Sequence, residues 1–280
     1  MTEILHPELP LKVWMDPRLA RLPGIIPMPP GQWLRPDAAY PAQMAERERL
    51  IADRPALVHA LQPIGRPAAV ELLDMVLAQL PGLGFARQGG GWRRPDGRIV
   101  AVQPDQPLLT LGRLVQDDLC LLQPGEGGEH VLTGAILCFP ASWTLSEKIG
   151  QPLLRIHRPV SEYGPDLARR VQRLFDAIRP EAPLMRGNAL PYADPALFQP
   201  RREDDPRDPT VGEARYIRAE LQALVRLPVS RAVVFSIRSH VIRRETLSTD
   251  EANAFARWRA AHAGEKAVAD PAVARAFPAS

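Results

Sequence analysis

The chain has 280 residues, a net charge of +3 and 45% hydrophobic residues. A chain this long buries most of its apolar surface without staples, and such values exclude collagen, coiled coil and wholesale disorder. No apolar run approaches the ~20 residues of a membrane span, and the start MTEILHPELPLKVWMD lacks the pattern of a secretory signal, so the expectation is a cytoplasmic chain with no membrane partner.

Residues 1–40 carry eight prolines, a spacing that no helix survives, and Trp14, Ile25, Ile26 and Trp33 suggest an extended arm packed on the body. PAQMAERERLIADR (41–54) is charged and helix-compatible. AAVELLDMVLAQL (68–80) sets Val70, Leu73, Val76, Leu77 and Leu80 on one helical face, and Gly82, Gly84 and Gly89–Gly91 end the pattern. GRIVAV (97–102) reads as a short strand. LGRLVQDDLCLL (111–122) fits helix and strand equally. HVLTGAILCF (130–139) is a strand closed by Pro140. A short helix follows near 144–150, with Thr144 as its N-cap.

PDLARRVQRLFDAI (165–178) is the clearest amphipathic helix, with Leu167, Val171, Leu174, Phe175 and Ile178 as its stripe. PRREDDPRDP (200–209) is a charged loop. Residues 214–227 and 231–242 read as two strands joined at Pro228. A last helix starts at Ser248, where Glu251 completes a capping box and Phe255 and Trp258 face inward. No repeat or linker divides two cores. The expectation is one α+β domain over 41–264, with an arm (1–40) packed on it and a tail (265–280).

The sites of chemistry are few. Cys120 and Cys138 make no disulfide framework, and no CxxC or HExxH pair provides a zinc site. No phosphate loop, dinucleotide fingerprint or GxSxG elbow occurs. Lysine stands only at 12, 148 and 266, so thirty-two basic residues are arginine; they are scattered and not interleaved with aromatics, which argues against a nucleic-acid partner. Of six histidines, His6 and His262 fall in ends expected to be exposed. His157, in RIHRPV, sits just past a helix among Leu153, Leu154, Ile156 and Val160. A neutral imidazole in such an apolar setting is what a haem iron needs as an axial ligand. His130 opens a strand after a glycine-rich turn, a weaker setting.

In YIRAELQALVRLP, Arg218 and Glu220 lie two apart, so on a strand they face the same side, with Gln222 and Leu224 continuing it. Such a row is either a solvated face with an ion pair or the polar wall of a pocket. Arg238, at the end of AVVFSIR, either reaches solvent or clamps an anion such as a propionate.

These phrases, in this order, resemble the family of the haem-binding alpha subunit of haem-dependent oxidative N-demethylase, over roughly residues 10–262. LKVWMD and WLRPDAAYPAQMAERERLI resemble its opening, and LVQDDLCLL its VQEDLCLL phrase. CFPASWTLSEKIGQPLLRIHRPV resembles its EKxG and IHxPVP series, and RAELQALVRLPVSRAVVFSIRSH its RxExQxLxRLPxSxAxxFxIRTY signature. The resemblance implies a PAS-like fold with an antiparallel sheet and flanking helices. It implies haem b, oxidation of a small secondary amine to formaldehyde and a smaller amine, and electrons from a separate flavin and iron–sulfur reductase. His157 fills the histidine of IHxPVP and is the expected iron ligand, with His130 as the other candidate.

Arg218, Glu220 and Gln222 fill the polar positions of the signature. Glu220 is expected to hold the protonated amine or accept its proton. Arg226 and Arg238 are expected at the propionates. The chain departs from the pattern at Leu221, at Ala223 and at His240. His240 replaces the closing tyrosine and offers a second ligand or a proton donor. The competing class is a PAS-like haem or gas sensor, a binding module without turnover.

Overall fold

Proline opens most of the helices, because at the first positions of a helix its missing N–H has no partner to lose. In the computed structural model, which describes residues 3–20, 24–126, 128–156, 165–205 and 214–261, the chain begins with a single turn, α1 (Pro17–Ala20), and a short strand, β1 (Ile26–Pro27). Thus the arm does hold one helical turn, and it starts on a proline. There follow α2 (Tyr40–Asp53), α3 (Pro55–Val58), β2 (His59–Leu61), α4 (Arg66–Gln79), β3 (Ala86–Gln88), β4 (Gly91–Arg93), β5 (Ile99–Ala101) and α5 (Pro107–Leu114). The ambiguous stretch 111–122 is both things in turn: α5 ends at Leu114, and β6 (Asp118–Pro124) starts four residues later. β7 (His130–Ile136), α6 (Leu145–Lys148), α7 (Leu153–Ile156), α8 (Pro165–Ala177), β8 (Leu184–Tyr192), β9 (Tyr216–Arg226), β10 (Val233–Arg243) and α9 (Thr249–Ala261) complete the order. The expected capping box forms at α9: Glu251 N–H donates to Ser248 Oγ at 3.3 Å, and Ser248 N–H to Glu251 Oε2 at 3.0 Å.

The α+β expectation holds. Seven strands form one antiparallel sheet in the order β1-β8-β9-β10-β6-β7-β2, and β3-β4-β5 form a second, smaller one. Alternation along each strand divides the large sheet into two faces. On one lie Leu119, Leu121, Ile136, Ala223, Val225 and Val234, buried against α2, α4 and α5. Here Gly112 lets α5 lie close on the sheet, since a Cβ would meet Ile136 Cγ1 at 2.6 Å. Further along this face the arm residues Leu9, Val13, Trp14 and Leu19 pack on Ala189, Ile217, Ala219 and Ile242, together with Phe255 of α9. We call this the helical face.

The chain between β7 and β8 carries α6, α7 and α8 across the other side, the crossover face. There Leu145, Leu153, Phe175 and Ile178 bury Cys120, Leu122, Leu132, Leu224 and Val233. No helix among the described residues is long and apolar enough to cross a membrane.

Candidate functional site

Register fixes which side chains meet. Gln222 pairs with Arg186 and Ile237, and Glu220 with Asn188 and Ser239, so all of them share the crossover face. Burial follows the helical cover. Leu224 and Val233 are buried, but Leu184, Arg186, Asn188, Glu220, Gln222 and Phe235 are only half-buried. This half-open stripe is polar at its centre. Gln222 Nε2 donates to Glu220 Oε2 at 2.9 Å, and Arg218 Nε faces Glu220 Oε1 at 3.6 Å. Arg218 itself is buried. It donates to Leu197 O at 2.9 Å, Phe139 O at 2.5 Å and Ser239 Oγ at 3.0 Å. Arg218, Glu220 and Gln222 are therefore brought together as the sequence implied: a held carboxylate with one oxygen beyond hydrogen-bond reach of its cation.

Arg226 stands at the far end of the same face, beneath α8. It is 4% exposed, donates to Arg231 O at 2.6 Å and to Phe175 O, and makes no ion pair with a described carboxylate. Burial pulls its pKa below the ordinary arginine value. The Phe175 ring also meets His130 edge-on, with centroids 5.1 Å apart. His130 is fully buried. Its backbone N–H donates to Gln172 Oε1 at 3.2 Å, which orients that amide; His130 Nδ1 lies 2.7 Å from the same oxygen and so carries the ring proton. Nε2 is buried and has no hydrogen-bond partner among the described residues. His157 lies outside the described residues; Ile156, just before it, packs on the crossover-face cluster.

Arg238 and His240 are not part of this group. They pair with Leu221 and Ala219 and face the helical side. Arg238 donates to Asp117 Oδ2 at 3.0 Å through Nε. Its other nitrogens reach Asp117 again, Gln116 Oε1 (2.9 Å), Arg35 O (2.9 Å) and Asp37 Oδ2 (3.2 Å). His240 is buried, with Nε2 3.5 Å from Asp37 Oδ2; burial lowers its pKa, partly opposed by Asp37. Burial raises the Asp37 carboxyl, but the adjacent imidazoles of His240 and His6, a hydrogen bond from Gln116 and the charge of Arg238 outweigh it and hold the pKa far below the usual carboxylate range. His6, expected at an exposed end, is 5% exposed and packs against His240 with ring centroids 4.7 Å apart. The backbone bond from His6 N to Val241 O, at 2.7 Å, pins the arm beside β10 and accounts for that burial.

Sequence reasoning missed Gln172, Asp37, Asp117 and Gln116 as partners. Asp117, a buried acid, lies in the LVQDDLCLL phrase. Asp37 and His6 carry no signal of this cluster, because Arg238 and Val241, which they meet there, lie 201 and 235 residues away in the sequence. A model of the family described as haem-dependent oxidative N-demethylase, alpha subunit-like, matches residues 24–269.

Proposed function

The chain belongs to the haem-dependent oxidative N-demethylase, alpha subunit-like family, and from that premise we propose that it is the haem-carrying part of an oxidative N-demethylase acting on a small secondary amine. The observation that carries this reading is the chemistry of the crossover face. Among the described residues, a buried imidazole with an unpartnered Nε2, a buried guanidinium without a carboxylate ion pair and a half-open carboxylate all lie on one side of one sheet. These residues fit a haem: an imidazole for the iron, a cation for a propionate, and apolar Leu224, Val233 and Phe175 for the ring. The five long strands run 2-1-5-4-3 across the sheet with a helical crossover between the second and third, which supports the PAS-like reading.

When bound, haem supplies oxidation at the carbon next to the amine nitrogen, with electrons from a separate flavin and iron–sulfur reductase. The chain's own part is to bind, orient and exclude. Arg226 offers its fork to a propionate. Glu220 receives the ammonium form of the amine: Oε2 is held by Gln222, and Oε1 is the atom left to accept the amine N–H and then its proton. Arg218 sets its charge beside that carboxylate, Nε lying 3.6 Å from Oε1. The resemblance assigns the iron to His157. A second reading assigns it to His130, favoured by the orphaned Nε2 and by Gln172 fixing the other nitrogen.

The test is turnover. Full-length protein loaded with hemin and supplied with a flavin and iron–sulfur reductase should release formaldehyde from dimethylamine. Haem uptake without formaldehyde from any small secondary amine would instead support the sensor class.

A further inference from the structure

We propose that His6, Asp37 and His240 form a binding site for one divalent transition-metal cation of the zinc type, which fastens the N-terminal arm to β10. Three observations carry it. First, the donors are right and close: two imidazoles and one carboxylate, all buried or half-buried, with their ligand atoms within 4.8 Å of one another. Second, the spacing suits a shared cation better than hydrogen bonds. His6 Nε2 is 3.4 Å from Asp37 Oδ1, and His240 Nε2 is 3.5 Å from Oδ2. Both exceed the 2.7–3.2 Å of an N–H···O bond. Two donors at zinc distance on a tetrahedron stand about 3.3–3.4 Å apart. His6 Nε2 is buried with no hydrogen-bond partner among the described residues.

Third, the charges leave room for a cation. Asp37 and Asp117 share the single guanidinium of Arg238, one positive charge against two negative. Nearby Arg47 is already paired with Asp118. Of the roughly four acceptor positions of a carboxylate, Ala39 N–H, Gln116 Nε2 and Arg238 take three at Asp37. Metal binding has one definite local cost. Val241 N–H donates to His6 Nδ1 at 3.3 Å, and a metal on Nε2 moves the ring proton to Nδ1 and breaks that bond. Three protein ligands leave the fourth position to water. His6 precedes the residues matched by the family model, and His240 stands where the resembled pattern has a tyrosine.

The experiment uses haem-free, chelator-treated full-length protein, titrated with zinc chloride against a chromophoric chelator. The parent should bind one equivalent. His6→Gln and His240→Tyr should each weaken binding at least ~100-fold, more than the loss of a ligand's supporting partner does. His59→Ala, a half-buried histidine on the edge strand β2, should leave it unchanged. Parent protein that takes up no stoichiometric zinc, or His6→Gln that binds as tightly as the parent, overturns the proposal. Should His240→Tyr fail to fold, His6→Gln in the arm still decides. The site lies on the opposite sheet face from the proposed haem, so either result leaves that reading to its own test.

Discussion

Arg226 is the most informative residue to change, because two roles for it predict different numbers. It is buried, holds the carbonyls of Arg231 and Phe175, and makes no ion pair with a described carboxylate. If it only ties β9 to α8, Arg226→Met costs folding stability and nothing else. Two carbonyls lose a charged donor, offset by relief from burying an unpaired cation, for a net loss of about 1–2 kcal/mol. If it also grips a propionate, the variant loses in addition a charge-assisted bond of about 1.5–3 kcal/mol, so hemin should bind roughly 10- to 150-fold more weakly. Arg226→Lys keeps the charge but not the fork and should fall between. Hemin titration followed in the Soret region gives the affinity, and thermal unfolding of the haem-free variants gives the stability. Hemin affinity within threefold of the parent in Arg226→Met refutes the anion-anchor role.

Other expected outcomes follow from the same geometry. Glu220→Gln should keep its haem spectrum while the KM for amine rises about tenfold or more, the loss of one charged hydrogen bond; an unchanged KM removes Glu220 from the site. Asp118→Ala strands the fully buried Arg47 and leaves the amides of Cys138 and Phe139 unsatisfied, so urea unfolding should show a loss of about 3–5 kcal/mol; a loss below about 1 kcal/mol contradicts it. Glu203 is held at a pKa of about 2 by hydrogen bonds from Arg155 and Lys148. Since that lies below the unfolded value of about 4.3, its contribution is full above pH ~4.3 and is lost as pH falls toward 2. The Tm difference between the parent and Glu203→Gln should therefore close across that window, and a constant difference down to pH 2 would be inconsistent with the pairing.

The long elements were legible because their patterns are local. The helices at 41–54 and 165–178, the strands at 130–139, 214–227 and 231–242 and the Ser248 cap all form within a few residues of the expected bounds. β8 escaped notice because Gly187 and Pro191 interrupt it, yet each has a tertiary reason. A Cβ at Gly187 would run into Val13 of the arm, and Pro191 lies near the strand's end. Of the expected stripe at 68–80, Leu73, Val76 and Leu80 are buried and Val70 and Leu77 are half-buried, while Ala68, Ala69 and Leu72 join the buried face.

At the site, period-two spacing was enough to unite Arg218, Glu220 and Gln222. The same alternation separates Arg238 and His240 from them, since both pair with odd-numbered residues of β9. That separation follows from strand register, which residue-by-residue matching to a family pattern does not reveal. The Asp37–His6–His240 cluster is assembled wholly by long-range folding of the arm.

Hemin reconstitution of the parent beside His157→Ala and His130→Ala addresses the account most directly. It predicts one haem per parent chain and a lost or shifted Soret band in one of the two variants. Failure of the parent to take up hemin, or identical spectra from all three proteins, would mean that neither His157 nor His130 holds an iron.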